Sequence, residues 1–147
     1  MSARRRCPLP EPPLLASLAP QAESTGAGGQ YIAPIHAIAA QYGVKVVAYE
    51  AGPGWGVGTA TSVGQYILAG RMKQMRALTA QNVQAWANFG PYMDVYNHFS
   101  IAGQPSRYGM WGHAETYFNV SAPKWCAVID TTGANPAEWP ECNYTST

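Results

Sequence analysis

Charge is what this 147-residue chain has least of. Nine Lys and Arg stand against eight Asp and Glu, and together they make up 12% of the residues. That is about half of the roughly 25% typical of globular domains. A net charge of +1 leaves no basic face for a phosphate backbone, which argues against nucleic-acid binding driven by ionic contacts. Long apolar runs are missing too: nothing approaches about 18 uninterrupted residues, so no segment reads as a membrane-spanning helix. Cysteine is scarce, and three thiols leave at least one unpaired. What the chain does have is apolar and aromatic surface. It is 47% hydrophobic, with five Trp and nine Tyr, which excludes overall disorder. The length suits one domain with a core and is too short for two ordinary ones. With so few carboxylates, any acid–base chemistry draws on a very short list.

The first 29 residues read as a Pro/Gly-rich leader. Arg4, Arg5 and Arg6 followed by an apolar stretch outline a signal peptide, but Pro8 to Pro13 interrupt it and the run from Leu14 to Ala19 is short for a hydrophobic region. A flexible leader, or a start inside a longer reading frame, fits as well. Cys126 and Cys142 lie in the C-terminal region, and a bond between them suits an oxidising compartment. Asn119-Val-Ser121 and Asn143-Tyr-Thr145 match the glycosylation pattern. The expectation is a secreted or extracellular protein, with a cytoplasmic one as the alternative.

Residues 30–134 carry the regular pattern. Tyr31, Ile32, Ile35, Ile38, Ala39 and Tyr42 recur at helical spacing, and Gly43 supplies a stop. Val44 to Tyr49 is β-branched and nearly all apolar, predicting a buried strand of the parallel type that ends at Glu50. The segment from Ala51 to Gly56 is a loop by composition. Met72, Met75, Thr79, Val83 and Trp86 mark one face of a second helix, stopped near Gly90-Pro91. Met93 to Phe99 predicts a second strand, residues 100–120 a long loop, and Pro123 to Ile129 a short helix. Residues 135–147 read as an irregular tail. Alternating helices and buried strands predict an α/β fold with parallel strands joined by the helix that contains Met75 and Trp86. Two strands alone do not make a sheet covered on both faces, so the pattern predicts part of something larger.

Chemistry gathers where strands meet loops, as it does in parallel α/β folds. Glu50 closes the first strand, with Tyr49 before it and Gly52, Gly54 and Trp55 after it. A carboxylate there is placed to act on a ligand; the bland alternative is that it accepts loop amides and ties the turn. Asn97-His98-Phe99-Ser100 ends the second strand, and His98 is placed to orient a carboxylate or donate to a substrate hydroxyl, although a lone histidine in such a position is more often a satisfied structural residue. Trp111, flanked by glycines, suits a pocket wall. His113 and Glu115 are too thin a pair for a metal site, and no metal or other cofactor is expected. Gly52 to Gly58 fails the dinucleotide fingerprint, because Pro53 removes an amide and no helix opens at once.

The stretch Val46-Val47-Ala48-Tyr49-Glu50-Ala51-Gly52-Pro53-Gly54, with Arg71-Met72, Trp86, Tyr96-Asn97-His98-Phe99, Tyr108-Gly109-Met110-Trp111-Gly112 and Pro123-Lys124-Trp125, resembles the C-terminal part of a bacterial-type carbohydrate-active (β/α)8 (TIM) barrel. It is similar to the clan of retaining glycoside hydrolases whose nucleophile is a Glu at the end of strand 7. The resemblance implies a partial barrel, its last two to three βα units, with Glu50 as nucleophile and Trp111 near the aromatic platform beneath the sugar. It implies Tyr49, Trp55, His98, Tyr108 and Trp111 as contacts to an oligo- or polysaccharide substrate. The clan's acid/base Glu, normally preceded by Asn on strand 4, has no match, so an N-terminal barrel segment is expected elsewhere. The chain alone is therefore expected to be inactive as a glycosidase. The alternative is a non-catalytic carbohydrate-binding or structural protein on the same barrel half.

Overall fold

The computed structural model describes residues 32–52, 54–56 and 63–143. The leader 1–29 with Cys7, Glu11 and Glu23, and Thr145 of the second glycosylation pattern, lie outside the described residues. Helix α1 (Ile32–Tyr42) is stopped by Gly43 at φ +63°, a conformation that side chains with a Cβ rarely adopt, and the chain enters β1 (Val46–Ala51). Then come β2 (Trp55–Gly56), α2 (Val63–Gly70), α3 (Gln74–Asn88), β3 (Met93–His98), β4 (Gly109–Met110) and α4 (Pro123–Thr131). Two 3₁₀ turns, Pro136–Glu138 and Pro140–Cys142, follow in the segment predicted to be irregular. No described helix is long and apolar enough to cross a membrane.

β1 and β3 pair in parallel, with Val46 opposite Met93, Ala48 opposite Tyr96 and Ala51 opposite His98, and the register shifts between each of these pairs. Neighbouring parallel strands need a crossover, and α2 with α3 supplies it. The parallel pairing and the helix carrying Met75 and Trp86 follow the predicted order. Helix α2 was not predicted, although Val63, Tyr66 and Ile67 stand at helical spacing within its eight residues. Strand β1 also runs further than expected, so Glu50 lies within it rather than after it.

The predicted full burial of the strands is corrected. One face of the pair packs on α3, where the Tyr96 hydroxyl donates to Asn82 Oδ1 at 2.5 Å and the Trp86 ring meets Tyr96 edge-on at 5.9 Å. The other face is bare: Val47 is 56% and Tyr49 82% exposed, and Val95 beside them is also open. A β-branched run specifies a strand but not how many layers cover it.

The core lies between α3 and α4. Met75 and Thr79 on α3 are buried, as their spacing predicts, together with Cys126, Ala127 and Ile129 on α4. Arg76 clamps the two helices, its Nε and Nη2 donating to the Asp130 carboxylate at 2.6 and 2.7 Å. Its Nη1 donates to the Cys142 carbonyl. Cys126 and Cys142, 16 positions apart, form a disulfide that fastens the tail to α4.

Candidate functional site

The loops that leave β1 and β3 are drawn together above the strands' carboxyl ends. Gly52, at φ +137°, takes a backbone conformation disfavoured for other residues. A Cβ there would come within 3.0 Å of His113 Cε1 and 3.2 Å of the Phe99 carbonyl oxygen. Burial pushes the Tyr96 phenol up to about 12, against the lowering influence of the Gly52 amide. Two residues on, Trp111 lies against Gly54 so closely that a Cβ would fall 2.7 Å from Trp111 Cδ1. β2 and β4 then pair antiparallel, Trp55 opposite Met110 and Gly56 opposite Gly109. Glycines at 52 and 54 thus let His113 and Trp111 approach the backbone of the segment that follows Glu50.

Glu50 is exposed, and no hydrogen bond or ion pair to another described residue engages its carboxylate. Tyr49 is on the strand pair's bare side. The loop carrying Trp111, itself partly exposed, converges with that of Glu50; Trp55 joins them through its backbone, its side chain lying outside the described set. Tyr108 is exposed and has the Arg107 guanidinium 4.6 Å from its ring centroid, so one ring face is occupied.

His98 is half-buried at the end of β3 and bonded to His113, Nδ1 to Nε2 at 3.0 Å. The tautomers follow from the next link. His113 Nδ1 lies 2.9 Å from the Ser100 carbonyl oxygen, which can only accept, so Nδ1 carries the proton and Nε2 of the neutral ring accepts. His98 must then donate through Nδ1, which leaves its Nε2 as an acceptor. Desolvation lowers both rings; His113, only 1% exposed, falls to about 4 despite the hydrogen bond to Ser100. In this tautomer His98 is tied into the structure through Nδ1, and its Nε2 is left to accept from a ligand hydroxyl. His113, weighed from sequence only as half of a metal pair, is instead the residue that orients His98. No local signal marks it, because its partner lies 15 positions away on another element.

A cavity of about 450 Å³ lies on the other side of His113, between α2, the loop after β4 and the start of α4. His113 lines it, with Arg71, Glu115 and Lys124, but Tyr49, Glu50, His98, Tyr108 and Trp111 do not. Glu115 is tethered within that wall. Arg71 grips it with two hydrogen bonds, Nε to Oε1 at 2.5 Å and Nη2 to Oε2 at 2.9 Å, and these hold the carboxyl below its usual range. No group of three or more His, Cys, Asp or Glu among the described residues is placed to hold a metal ion. No known family model, no curated protein and no solved structure matches the chain.

Proposed function

We propose that this chain is the C-terminal part of a (β/α)8-barrel glycoside hydrolase of the retaining type, with Glu50 as its nucleophile. The observation that carries the reading is the placement of Glu50 and His98 near the carboxyl ends of two adjacent parallel strands, with the Trp111 loop folded over the turn between them. Ligands of parallel α/β folds sit at that end of the sheet. The bare apolar face of β1 and β3 adds support, since in a barrel that face is covered by side chains of further strands. The disulfide suits an oxidising, extracellular site of action.

In this reading the Glu50 carboxylate attacks the anomeric carbon as the glycosidic C–O bond breaks, and water later releases the glycosyl ester. His98 Nε2 accepts from a sugar hydroxyl, and Trp111, Tyr49, Trp55 and Tyr108 offer stacking faces. Retention requires a second carboxyl about 5 to 5.5 Å from the first, to protonate the leaving oxygen. Among the other described acids Glu115 and Asp130 are held by arginines, Asp94 opens β3 at the opposite end, and Glu138 and Glu141 stand in the 3₁₀ turns of the tail. The acid is therefore assigned to the remainder of the barrel, and the chain alone is proposed to be inactive. The second reading, non-catalytic sugar binding, is favoured by the open exposure of Glu50, which lacks the desolvated surroundings common at catalytic carboxylates.

The test joins the chain to the preceding barrel segment and assays oligosaccharides and activated aryl glycosides. Turnover that falls by several orders of magnitude in Glu50→Gln, with sugar binding kept, is the expected result. Undiminished turnover in that variant refutes the nucleophile. Binding without turnover in the joined form selects the second reading.

A further inference from the structure

We propose that the cavity between α2, the β4–α4 loop and the first turn of α4 is a binding site for a small organic carboxylate, received by the ammonium of Lys124. The site is separate from Glu50 and stands whether or not the glycosidase reading does.

Lys124 is the unusual residue of this molecule. It is only 5% exposed and forms part of the cavity wall. Buried lysines are normally paired, yet no hydrogen bond or salt bridge joins this ammonium to any described residue. The described polar side-chain atoms that are both sealed from solvent and without a partner are His36 Nε2, Thr79 Oγ1 and Trp125 Nε1. The Lys124 ammonium is not one of them, so what access it keeps is through the cavity it lines. The nearest opposite charge, Glu115, is felt electrostatically but is already spent on the two hydrogen bonds from Arg71.

The backbone reinforces the same polarity. Lys124 stands in the first turn of the nine-residue helix α4, whose positive end faces the cavity through Ala122 and Pro123. Ala122 at the N-cap position brings no side-chain oxygen to that turn. Charged groups on the wall are Arg71, Lys73 and Lys124 against Glu115 alone. The rest is mixed: Ile67, Pro105, Met110 and Ala114 are apolar. A cavity of about 450 Å³ falls in the range of small-molecule sites, about 300 to 1,000 Å³. One buried ammonium beside an apolar wall matches a single carboxylate carried on an apolar body. A phosphate would ask for more donors and would bring a second charge.

Desolvation lowers Lys124 to about 8, so its ammonium loses its charge just above neutral pH. The other groups facing it do not blur that step: His113 is held at about 4, Glu115 is held down and Arg71 is raised, each away from this range. Lys73 also lines the wall.

The experiment titrates the folded chain with benzoate, and separately with inorganic phosphate, following amide resonances by NMR between pH 6 and 9.5. Saturable shifts at Gly112, Ala114 and Lys124 with benzoate are expected, weakening as pH rises through about 8. Lys124→Met, which keeps the buried stem, is expected to weaken binding by about tenfold to a hundredfold, the scale of one charge-assisted hydrogen bond. The wild-type pH titration tests the assignment even if that variant does not fold. Absence of saturable shifts, pH-independent binding, tight binding by Lys124→Met, or a preference for phosphate each overturns the carboxylate site.

Discussion

Acidification is the most direct perturbation of the His98–His113 pair. His113 is buried and neutral, with a value near 4 in the folded chain against about 6.5 for an unfolded histidine. The depressed value fixes the sign. Between those limits the unfolded chain binds the extra proton and the folded one does not, so stability is complete above about 6.5 and drains as pH falls towards 4. At about 1.36 kcal/mol per pH unit the loss approaches ~3 kcal/mol, a large share of the roughly 5–15 kcal/mol of a typical domain. His98, lowered for the same reason, acts in the same direction. Glu115, held down by Arg71, adds its own loss only in more acid solution, below the ordinary carboxylate range. Urea unfolding followed by fluorescence at half-unit steps from pH 7.5 to 4 measures the slope. His113→Gln keeps an amide donor for Ser100 and an acceptor for His98 but cannot titrate, so its acid limb is expected to be shallower by most of that amount. Imidazole nitrogen shifts report the tautomers directly, with His113 protonated on Nδ1 and His98 unprotonated on Nε2. A wild-type curve that is flat between pH 6.5 and 4.5, or a His113 resonance titrating near 6.5, refutes the reasoning.

Two further outcomes follow from the packing. Replacing Cys126 and Cys142 together by Ala opens a link across 16 positions, and by loop-closure entropy costs about 3 kcal/mol, read as a lower urea midpoint; an unchanged midpoint would count against any role for the bond in stability. Gly52→Ala places a Cβ against His113 and the Phe99 carbonyl at positive φ, so it is expected to cost about 1–3 kcal/mol and to shift the His98 and His113 resonances; silence at both rings breaks the proposed contact.

The order of elements was legible in the residues themselves. Val46 to Tyr49 and Met93 to His98 are runs whose side chains disfavour helix, and the Met75, Thr79 and Trp86 spacing between them is a helical stripe, so a parallel crossover pair follows from local stereochemistry. Glu50 stands at the carboxyl end of its strand for the same local reason. Helix α2 escaped because it is only eight residues long with glycines at 64 and 70, too short for the spacing of Val63, Tyr66 and Ile67 to stand out. The rest was decided in three dimensions. Which face of β1 is covered depends on layers that no strand encodes in its own pattern, and Val47 and Tyr49 lie bare where the run predicted burial. The tautomer of His98 is set by a carbonyl two residues downstream acting through a second ring that the chain reaches only after a loop. Lys124 reads in sequence as an ordinary helix-start lysine; only the cavity walls brought from α2 and the β4–α4 loop strip it of water. Backbone propensity is a property of neighbours along the chain, whereas desolvation and protonation belong to neighbours in space, and only folding chooses those.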